Sequence, residues 1–161
     1  CLLTTSASLK CWGAHDMGQL GVGDTATETC NGLTCATTPK PISTFLGSTP
    51  IDVALGARHG CAVLQGGTVR CWGADDLAQL GDSAAPIGVC GAQNTPCATV
   101  PSTDVFFDSV VEAKRIFAGD HHTCVVTTGI PYCWGDNRLG QSMAGVHASV
   151  ANPAAGVHGL F

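Results

Sequence analysis

A Cys-Trp-Gly tripeptide occurs three times in this chain, beginning at Cys11, Cys71 and Cys133. The first two copies are 60 residues apart and the last two are 62 apart. A regular period of this length is typical of proteins in which each repeat is one supersecondary unit, stacked on its neighbours or arranged radially. Because a reactive cysteine is usually unique in its chain, the recurrence favours a structural role for Cys11 over that of a nucleophile or metal ligand.

The copies share further positions, which divide the chain into repeats at about 1–56, 57–119 and 120–161. Two shared residues are histidines, each three positions after a glycine and two before a cysteine. We expect each histidine to be hydrogen-bonded inside its own repeat rather than to act as a ligand or base. The residues predicted to form the core of the repeats are Trp12, Trp72, Trp134, His59, His122, Gln19, Gln79 and Gln141.

A candidate acid–base pair, His15 and Asp16, follows the first tripeptide. The equivalent positions hold two aspartates in the second repeat, at 75–76, and Asn-Arg in the third, at 137–138. We interpret these positions as a variable turn. Since the chain also lacks a Gly-x-Ser-x-Gly motif and paired metal ligands, we expect no catalytic residue, no metal and no cofactor.

Each repeat contains a hairpin, seen most clearly in the sequence CAVLQGGTVRC at 61–71. If Cys61 lies opposite Cys71, Leu64 lies opposite Thr68 and a three-residue loop closes the hairpin. The third hairpin is one residue shorter, which predicts a two-residue turn at 128–129. Directly opposed cysteines on antiparallel strands are close enough for a disulfide. The predicted pairs are Cys1–Cys11, Cys61–Cys71 and Cys124–Cys133.

The other four cysteines lie in two insertions, CNGLTCATTP at 30–39 and CGAQNTPCATVP at 90–101. Both members of each pair are missing together from the third repeat, which predicts the links Cys30–Cys35 and Cys90–Cys97. The chain has ten cysteines but no Cys-x-x-Cys, and neither close pair has a histidine beside it. This pattern favours structural disulfides over zinc, and therefore an extracytoplasmic location.

The composition predicts an all-β protein of one domain over residues 1–161. Charged residues make up 12% of the chain and glycines number 21, so long amphipathic helices lack their polar face while tight turns are well supplied. The net charge of -5 gives no basic surface for nucleic acid. No apolar run is long enough to predict insertion into a membrane.

The segment HGCAVLQGGTVRCWGADDLAQLG at 59–81 resembles the repeat of the regulator of chromosome condensation family. The resemblance implies β-propeller blades of four antiparallel strands, normally about seven to a ring. The family's asparagine is kept only as Asn137, and Ser142-Met143 replaces its final Leu-Gly in the third repeat. The cysteines that flank each hairpin resemble those of secreted bacterial relatives.

Three repeats are too few to close a ring. The chain is expected to be part of a longer protein, one of several chains that complete a ring, or an open stack of blades. We expect a non-enzymatic extracytoplasmic scaffold that binds a protein partner or assembles with itself, such as a structural subunit at a cell surface. The alternatives are an inhibitor of β-lactamase type and a GTPase exchange factor.

The two insertion loops, 30–35 and 90–97, are the candidate contact surface of this scaffold. Loops that vary while the repeated framework stays constant are common binding sites, and a disulfide-closed loop is already ordered before it binds. Plain stabilisation of a long surface loop explains the two cysteine pairs equally well.

Peptide mapping without reduction is expected to find five local links only. The three hairpin pairs and the two insertion pairs each close a short loop, which stabilises the fold by roughly 2–3 kcal/mol per link. A bridge between repeats, such as one from Cys11 to Cys71, would contradict the hairpin register and the division into blades.

Overall fold

Thirteen short strands account for the regular structure of the computed structural model, which describes residues 1–43, 45, 47–81, 88–101, 105 and 112–142 and the backbone of 150–155. Within these ranges the one helical element is a 3₁₀ turn at Gly23–Thr25. The strands are β1 (Leu2–Leu3), β2 (Leu9–Ala14), β3 (Glu28–Cys30), β4 (Leu33–Pro41), β5 (Pro50–Leu55), β6 (His59–Leu64), β7 (Val69–Ala74), β8 (Gly88–Cys90), β9 (Thr95–Ala98), β10 (Arg115–Ala118), β11 (His122–Val126), β12 (Pro131–Gly135) and β13 (Val150–Ala155).

The strands form three antiparallel sheets, one for each repeat. Their orders are β1-β2-β4-β3, β5-β6-β7-β9-β8 and β10-β11-β12-β13. The prediction of an all-β fold of four-stranded antiparallel blades is confirmed. The second sheet has a fifth strand because its insertion folds as the hairpin β8–β9, which adds β8 at the outer edge.

The second and third sheets begin earlier in the chain than the corresponding sequence repeats do. β5 pairs with β6, and β10 pairs with β11, so the second and third sheets start at Pro50 and Arg115. The Gly-x-x-His segment is the turn between these two strands, closed by a hydrogen bond from the Gly56 N–H to the His59 carbonyl (2.9 Å). Repeat boundaries drawn at 57 and 120 therefore separate the first strand of a sheet from its partner.

The predicted hairpin registers are confirmed. Cys61 lies opposite Cys71 and Cys124 opposite Cys133. The Leu64 N–H donates to the Thr68 carbonyl at 2.7 Å, which closes the three-residue loop of the second hairpin. In the third hairpin the corresponding bond joins residues 127 and 130 at 3.1 Å, around the shorter turn.

The core lies between the sheets. Ala62 and Leu64 of β6 belong to a buried cluster shared with the first sheet, whereas Cys61 and Val63 belong to a second cluster shared with the third sheet. β6 is therefore buried on both faces, which explains why residues 60–64 of this strand carry no polar side chain. The sheets stack face to face, as the blades of a propeller do.

Substitutions at Gly81 and Gly140 separate the energetic cost of disturbed sheet packing from the cost of backbone strain. Both have positive φ, +68° and +81°. A Cβ at Gly81 would lie 2.6 Å from Nε1 of Trp134, whereas one at Gly140 would meet nothing within 4 Å. We expect Gly140→Ala to cost about 1–2 kcal/mol of unfolding free energy from φ alone, and Gly81→Ala roughly 1–3 kcal/mol more from overpacking. Urea denaturation measures both, and equal losses would contradict the packing described.

Candidate interaction surface

Neighbouring sheets are joined by a repeated contact between a tryptophan and the turn of the preceding sheet. Nε1 of Trp72 donates to the Gln19 carbonyl at 3.0 Å, and Nε1 of Trp134 donates to the Gln79 carbonyl at 2.8 Å. A glycine lies against each ring, since a Cβ at Gly21 would be 2.8 Å from Cδ1 of Trp72. We call this the indole–turn contact. It shows why Trp and Gln-Leu-Gly recur at a fixed spacing.

The repeated glutamines act within the turns rather than as generic core residues. Oε1 of Gln19 accepts the Met17 N–H at 2.8 Å, and its Nε2 donates to Asp16 at 2.9 Å. Gln79 makes the same two bonds at 2.7 and 3.0 Å, and Gln141 accepts the Leu139 N–H at 2.8 Å. Gln19 and Gln79 thereby fix the turns whose carbonyls receive the next indole. The repetition of the glutamines in the sequence does not by itself indicate this role.

The turn position that varies in sequence has one function in all three repeats. His15 Nδ1, Asp75 Oδ1 and Asn137 Oδ1 each accept the backbone N–H five residues later, at 3.3, 2.9 and 2.8 Å. All three residues found at this position are hydrogen-bond acceptors. The interpretation of the position as a variable turn did not include this shared role. In the third repeat Ser142 keeps the turn, because its Oγ donates to the Asp136 carbonyl at 2.9 Å. Met143 lies outside the described residues.

The prediction that each histidine bonds inside its own repeat is wrong for His59. Its Nε2 lies 2.9 Å from Oγ1 of Thr123, on β11 of the third sheet. The imidazole packs over Gly56, where a Cβ would overlap the ring, and the half-buried ring of His122 lies over Gly119 in the same way. The glycine of Gly-x-x-His is therefore needed to make room for the histidine.

All ten cysteines are placed as five local pairs: Cys1–Cys11, Cys30–Cys35, Cys61–Cys71, Cys90–Cys97 and Cys124–Cys133. None of them is free. The three hairpin pairs lie across directly opposed strands, whereas the other two close the outer hairpins β3–β4 and β8–β9. Cysteine therefore offers no nucleophile in this arrangement.

The second outer hairpin, β8–β9, contacts the first sheet and also carries an exposed apolar side chain. The Thr99 carbonyl, just after β9, accepts the Gly23 N–H of the first sheet at 2.8 Å, and Gly91 at the tip lies against Met17. On its other side Val89 is 64% exposed. The first outer hairpin, β3–β4, presents Leu33, which is 49% exposed. The second hairpin thus stabilises the packing of the first two sheets and also exposes an apolar side chain.

Trp12 departs from the predicted core. It is 45% exposed, whereas Trp72 and Trp134 are fully buried. In the second sheet the Gly-x-x-His turn covers this end of the strand, and a Cβ at Gly73 would lie 2.6 Å from the His59 Cα. A Cβ at the equivalent Gly13 would meet nothing within 4 Å. Among the described residues, no Gly-x-x-His turn lies over the equivalent end of β2.

A groove of about 200 Å³ lies beside Trp12, between the first and second sheets. One wall comes from each sheet, and the residues that define them are Trp12, Ala14 and Leu20 on one side and Leu55, Gly56 and His59 on the other. Polar and apolar atoms contribute about equally to the exposed walls. Nδ1 of His59 has no hydrogen-bond partner among the described residues.

The described residues bring together no group of three histidine, cysteine or acidic side chains that could hold a metal ion. Asp136 is the acid with the most strongly lowered pKa, about 2, because the Arg138 side chain hydrogen-bonds to it. Helices long and apolar enough to cross a membrane are not found in the described part of the chain.

Comparison with known proteins finds a family match over part of the chain. The family model described as the regulator of chromosome condensation (RCC1) repeat matches residues 11–63, and a second model of this repeat matches 51–79. The chain is 27% identical over 140 residues to the human probable E3 ubiquitin-protein ligase HERC6. It is 28% identical over 143 residues to the mouse secretion-regulating guanine nucleotide exchange factor. These alignments cover 86% and 87% of this chain but only 12% and 28% of those proteins.

A solved structure supports the fold. Prp20p from Saccharomyces cerevisiae, described together with its binding to Gsp1p and histones, superimposes with a TM-score of 0.72 at 22% identity. The superposition covers 95% of this chain and 35% of that one. The three stacked sheets accordingly share their fold with that protein, as expected for blades of a β-propeller.

The buried His59 predicts a fall in stability with acid. Burial first, and then the charges of His121 and His122, lower its pKa from 6.5 to about 4. The unfolded chain therefore binds this proton near pH 6.5, whereas the folded chain binds it only near pH 4. The free energy of unfolding should be highest above pH 6.5 and fall by up to roughly 3 kcal/mol on going down to pH 4.

Urea denaturation between pH 4.5 and 7 measures this slope, with His59→Gln as the comparison. Gln keeps a donor for Thr123 but does not titrate, so the variant should lose most of the pH dependence. A residual slope of the same sign is expected from His15, whose pKa burial also lowers. An unchanged slope in His59→Gln would show that other groups control the acid response.

Proposed function

We propose that this chain, part of which matches the RCC1 repeat, is a non-enzymatic, extracytoplasmic β-propeller scaffold that binds a protein partner through its outer hairpins. The repeated Trp, Gln and His side chains are engaged in contacts within and between sheets, as His59 is with Thr123. What differs between repeats is the pair of outer hairpins. Binding sites of repeat proteins concentrate on such differing loops.

The observation that carries the proposal is the exposure of apolar side chains on disulfide-closed hairpins. Val89 on β8 and Leu33 on β4 are 64% and 49% exposed, beside Cys90–Cys97 and Cys30–Cys35. A loop that is already rigid loses little conformational entropy when it binds. Exposed aliphatic side chains held in this way are suited to a protein partner.

The extracytoplasmic location is supported by cysteine usage. Ten cysteines placed as five local pairs suit an oxidising compartment, where disulfides persist. A chain with 12% charged residues and few large aromatic side chains gains much of its stability from such links. The cytosol would keep these thiols reduced and remove that contribution.

Two other functions can be distinguished experimentally from that of a scaffold. One relative is named as a guanine nucleotide exchange factor, and a solved homologue is described with its binding to Gsp1p. An inhibitor of β-lactamase type is the second alternative. Because the chain matches only part of those proteins, neither activity transfers to it directly.

The activity test uses the purified native protein. We expect no acceleration of nucleotide release from Gsp1p, no inhibition of a β-lactamase, and no thiol that reacts before reduction. Either activity at stoichiometric protein would replace the scaffold by that function. Ten reactive thiols in freshly isolated protein would contradict the extracytoplasmic location.

The hairpins are tested by photo-crosslinking on the producing cells. A photoreactive amino acid replaces Val89 in one variant and Leu139 in a control, which is 90% exposed on the turn after β12. We expect a discrete adduct from position 89 and none from position 139. Equal labelling of both positions would mean nonspecific contact, and a missing adduct at 89 would contradict binding through the hairpin.

A further inference from the structure

The tip of the first outer hairpin, β3–β4, consists of an asparagine followed by a glycine. Cys30 lies opposite Leu33, so Asn31 and Gly32 are the two residues of the turn. Both have positive φ, +49° and +82°. Two-residue turns with positive φ at both positions favour the sequence Asn-Gly. The requirements of the turn therefore place a side-chain amide next to the least hindered backbone nitrogen that a chain can offer.

The groups of this pair that can react with one another are accessible. Asn31 and Gly32 are both exposed. A Cβ at Gly32 would meet nothing within 4 Å, so the space around its backbone nitrogen is open. Among the described residues, none forms a hydrogen bond with the Gly32 N–H or with the Asn31 side chain. No contact therefore has to break before the nitrogen approaches the amide carbon.

We propose that Asn31 is a site of spontaneous deamidation, which converts it to aspartate and isoaspartate in the folded protein. The Gly32 nitrogen gives its proton to hydroxide and attacks Cγ of Asn31. The new N–Cγ bond closes a succinimide ring, while the side-chain nitrogen takes a proton from water and leaves as ammonia. Water then opens the ring at Cγ, which gives aspartate, or at the main-chain carbonyl, which gives isoaspartate. The net reaction consumes water and releases ammonia.

The turn of the second outer hairpin provides a natural comparison. Asn94 is exposed there and has a φ of +53°, close to that of Asn31. The residue that follows it is Thr95, which is β-branched and 9% exposed. A branched side chain packed into the hairpin hinders the approach of its own backbone nitrogen to the preceding amide. Asn94 should therefore react more slowly than Asn31.

The remaining asparagines lack the required nitrogen or the freedom to use it. Asn137 is fully buried, and the next N–H, that of Arg138, donates to Oδ1 of Asp136 at 3.0 Å. Asn152 precedes a proline, which has no N–H to lose. One chain thus holds asparagines in different environments, and the geometry selects Asn31 among them.

Both products are compatible with the hairpin. Asp-Gly suits a two-residue turn as Asn-Gly does, so aspartate adds a negative charge without requiring a different turn. Isoaspartate lengthens the main chain by a methylene inside the loop that Cys30–Cys35 closes. The new charge lies two residues from the exposed side chain of Leu33. The reaction does not depend on what the outer hairpins bind.

Timed incubation of the purified native protein at mildly alkaline pH tests the proposal. Peptide mapping follows the replacement of NH2 by OH at each asparagine, and chromatography separates aspartate from isoaspartate. Asn31 should convert at least about tenfold faster than Asn94, a barrier lower by about 1.4 kcal/mol. Asn137 should convert only after the protein is unfolded. Equal rates at 31 and 94, or aspartate at 31 without isoaspartate, would overturn the proposal.

Glycine variants test the reacting nitrogen. Gly32→Ala should slow the conversion of Asn31 at least about tenfold, because a methyl group then hinders the attack. Gly66→Ala is the matched control, since Gly66 also has positive φ, +95°, and a Cβ there would meet nothing within 4 Å. It lies in another turn and should leave the rate at Asn31 unchanged. Equal rates in the two variants would contradict attack by the Gly32 nitrogen.

The unfolded, reduced protein shows whether the folded turn permits the reaction. Asn31 should convert in the native protein at a rate within about tenfold of that in the unfolded chain. Asn137, by contrast, should accelerate far more than this on unfolding. A larger reduction at Asn31 in the native state would show that the turn protects it, and would overturn the proposal.

Discussion

The hydrogen bonds from the indole N–H groups of Trp72 and Trp134 to the turn of the preceding sheet are the interactions on which the rest of the structure depends. Burial of apolar surface between sheets is non-directional and would allow them to slide or rotate. The bond from Trp134 to the Gln79 carbonyl fixes one relative position, and Gly81 lets the ring come close enough to make it. The glutamine side chain then holds the turn in the shape that presents its carbonyl.

The cysteine pairs support this contact through strand register. Cys71 immediately precedes Trp72, and its partner Cys61 lies directly opposite on β6. A slip of one residue would send every side chain of a strand to the other face of its sheet. The covalent link prevents that slip next to the indole that must point toward the neighbouring sheet. Stability and alignment are thereby provided by the same two buried side chains.

The periodicity of the sequence was sufficient to predict contacts inside a hairpin but insufficient to predict contacts between sheets. The opposition of Cys61 and Cys71 follows from local spacing, because a hairpin brings near neighbours in the chain together. The bond from His59 to Thr123 spans 64 residues and joins different sheets, so the repeat identified two equivalent histidines but not the partner of either. The outward position of Trp12 could not be predicted either, because equivalence in sequence does not specify which neighbours are present.

The turn of the first sheet has a chemical dependence that its two counterparts lack. His15 accepts the Leu20 N–H through Nδ1, and its Nε2 lies 3.0 Å from the Gly23 carbonyl, to which it must donate. A single neutral tautomer satisfies both bonds. Asp75 and Asn137 serve as acceptors without depending on a tautomer. The three turns therefore have the same hydrogen bond but different acid–base chemistry at the accepting side chain. A proton added to Nδ1 would remove the acceptor from one blade alone and leave the other two turns closed.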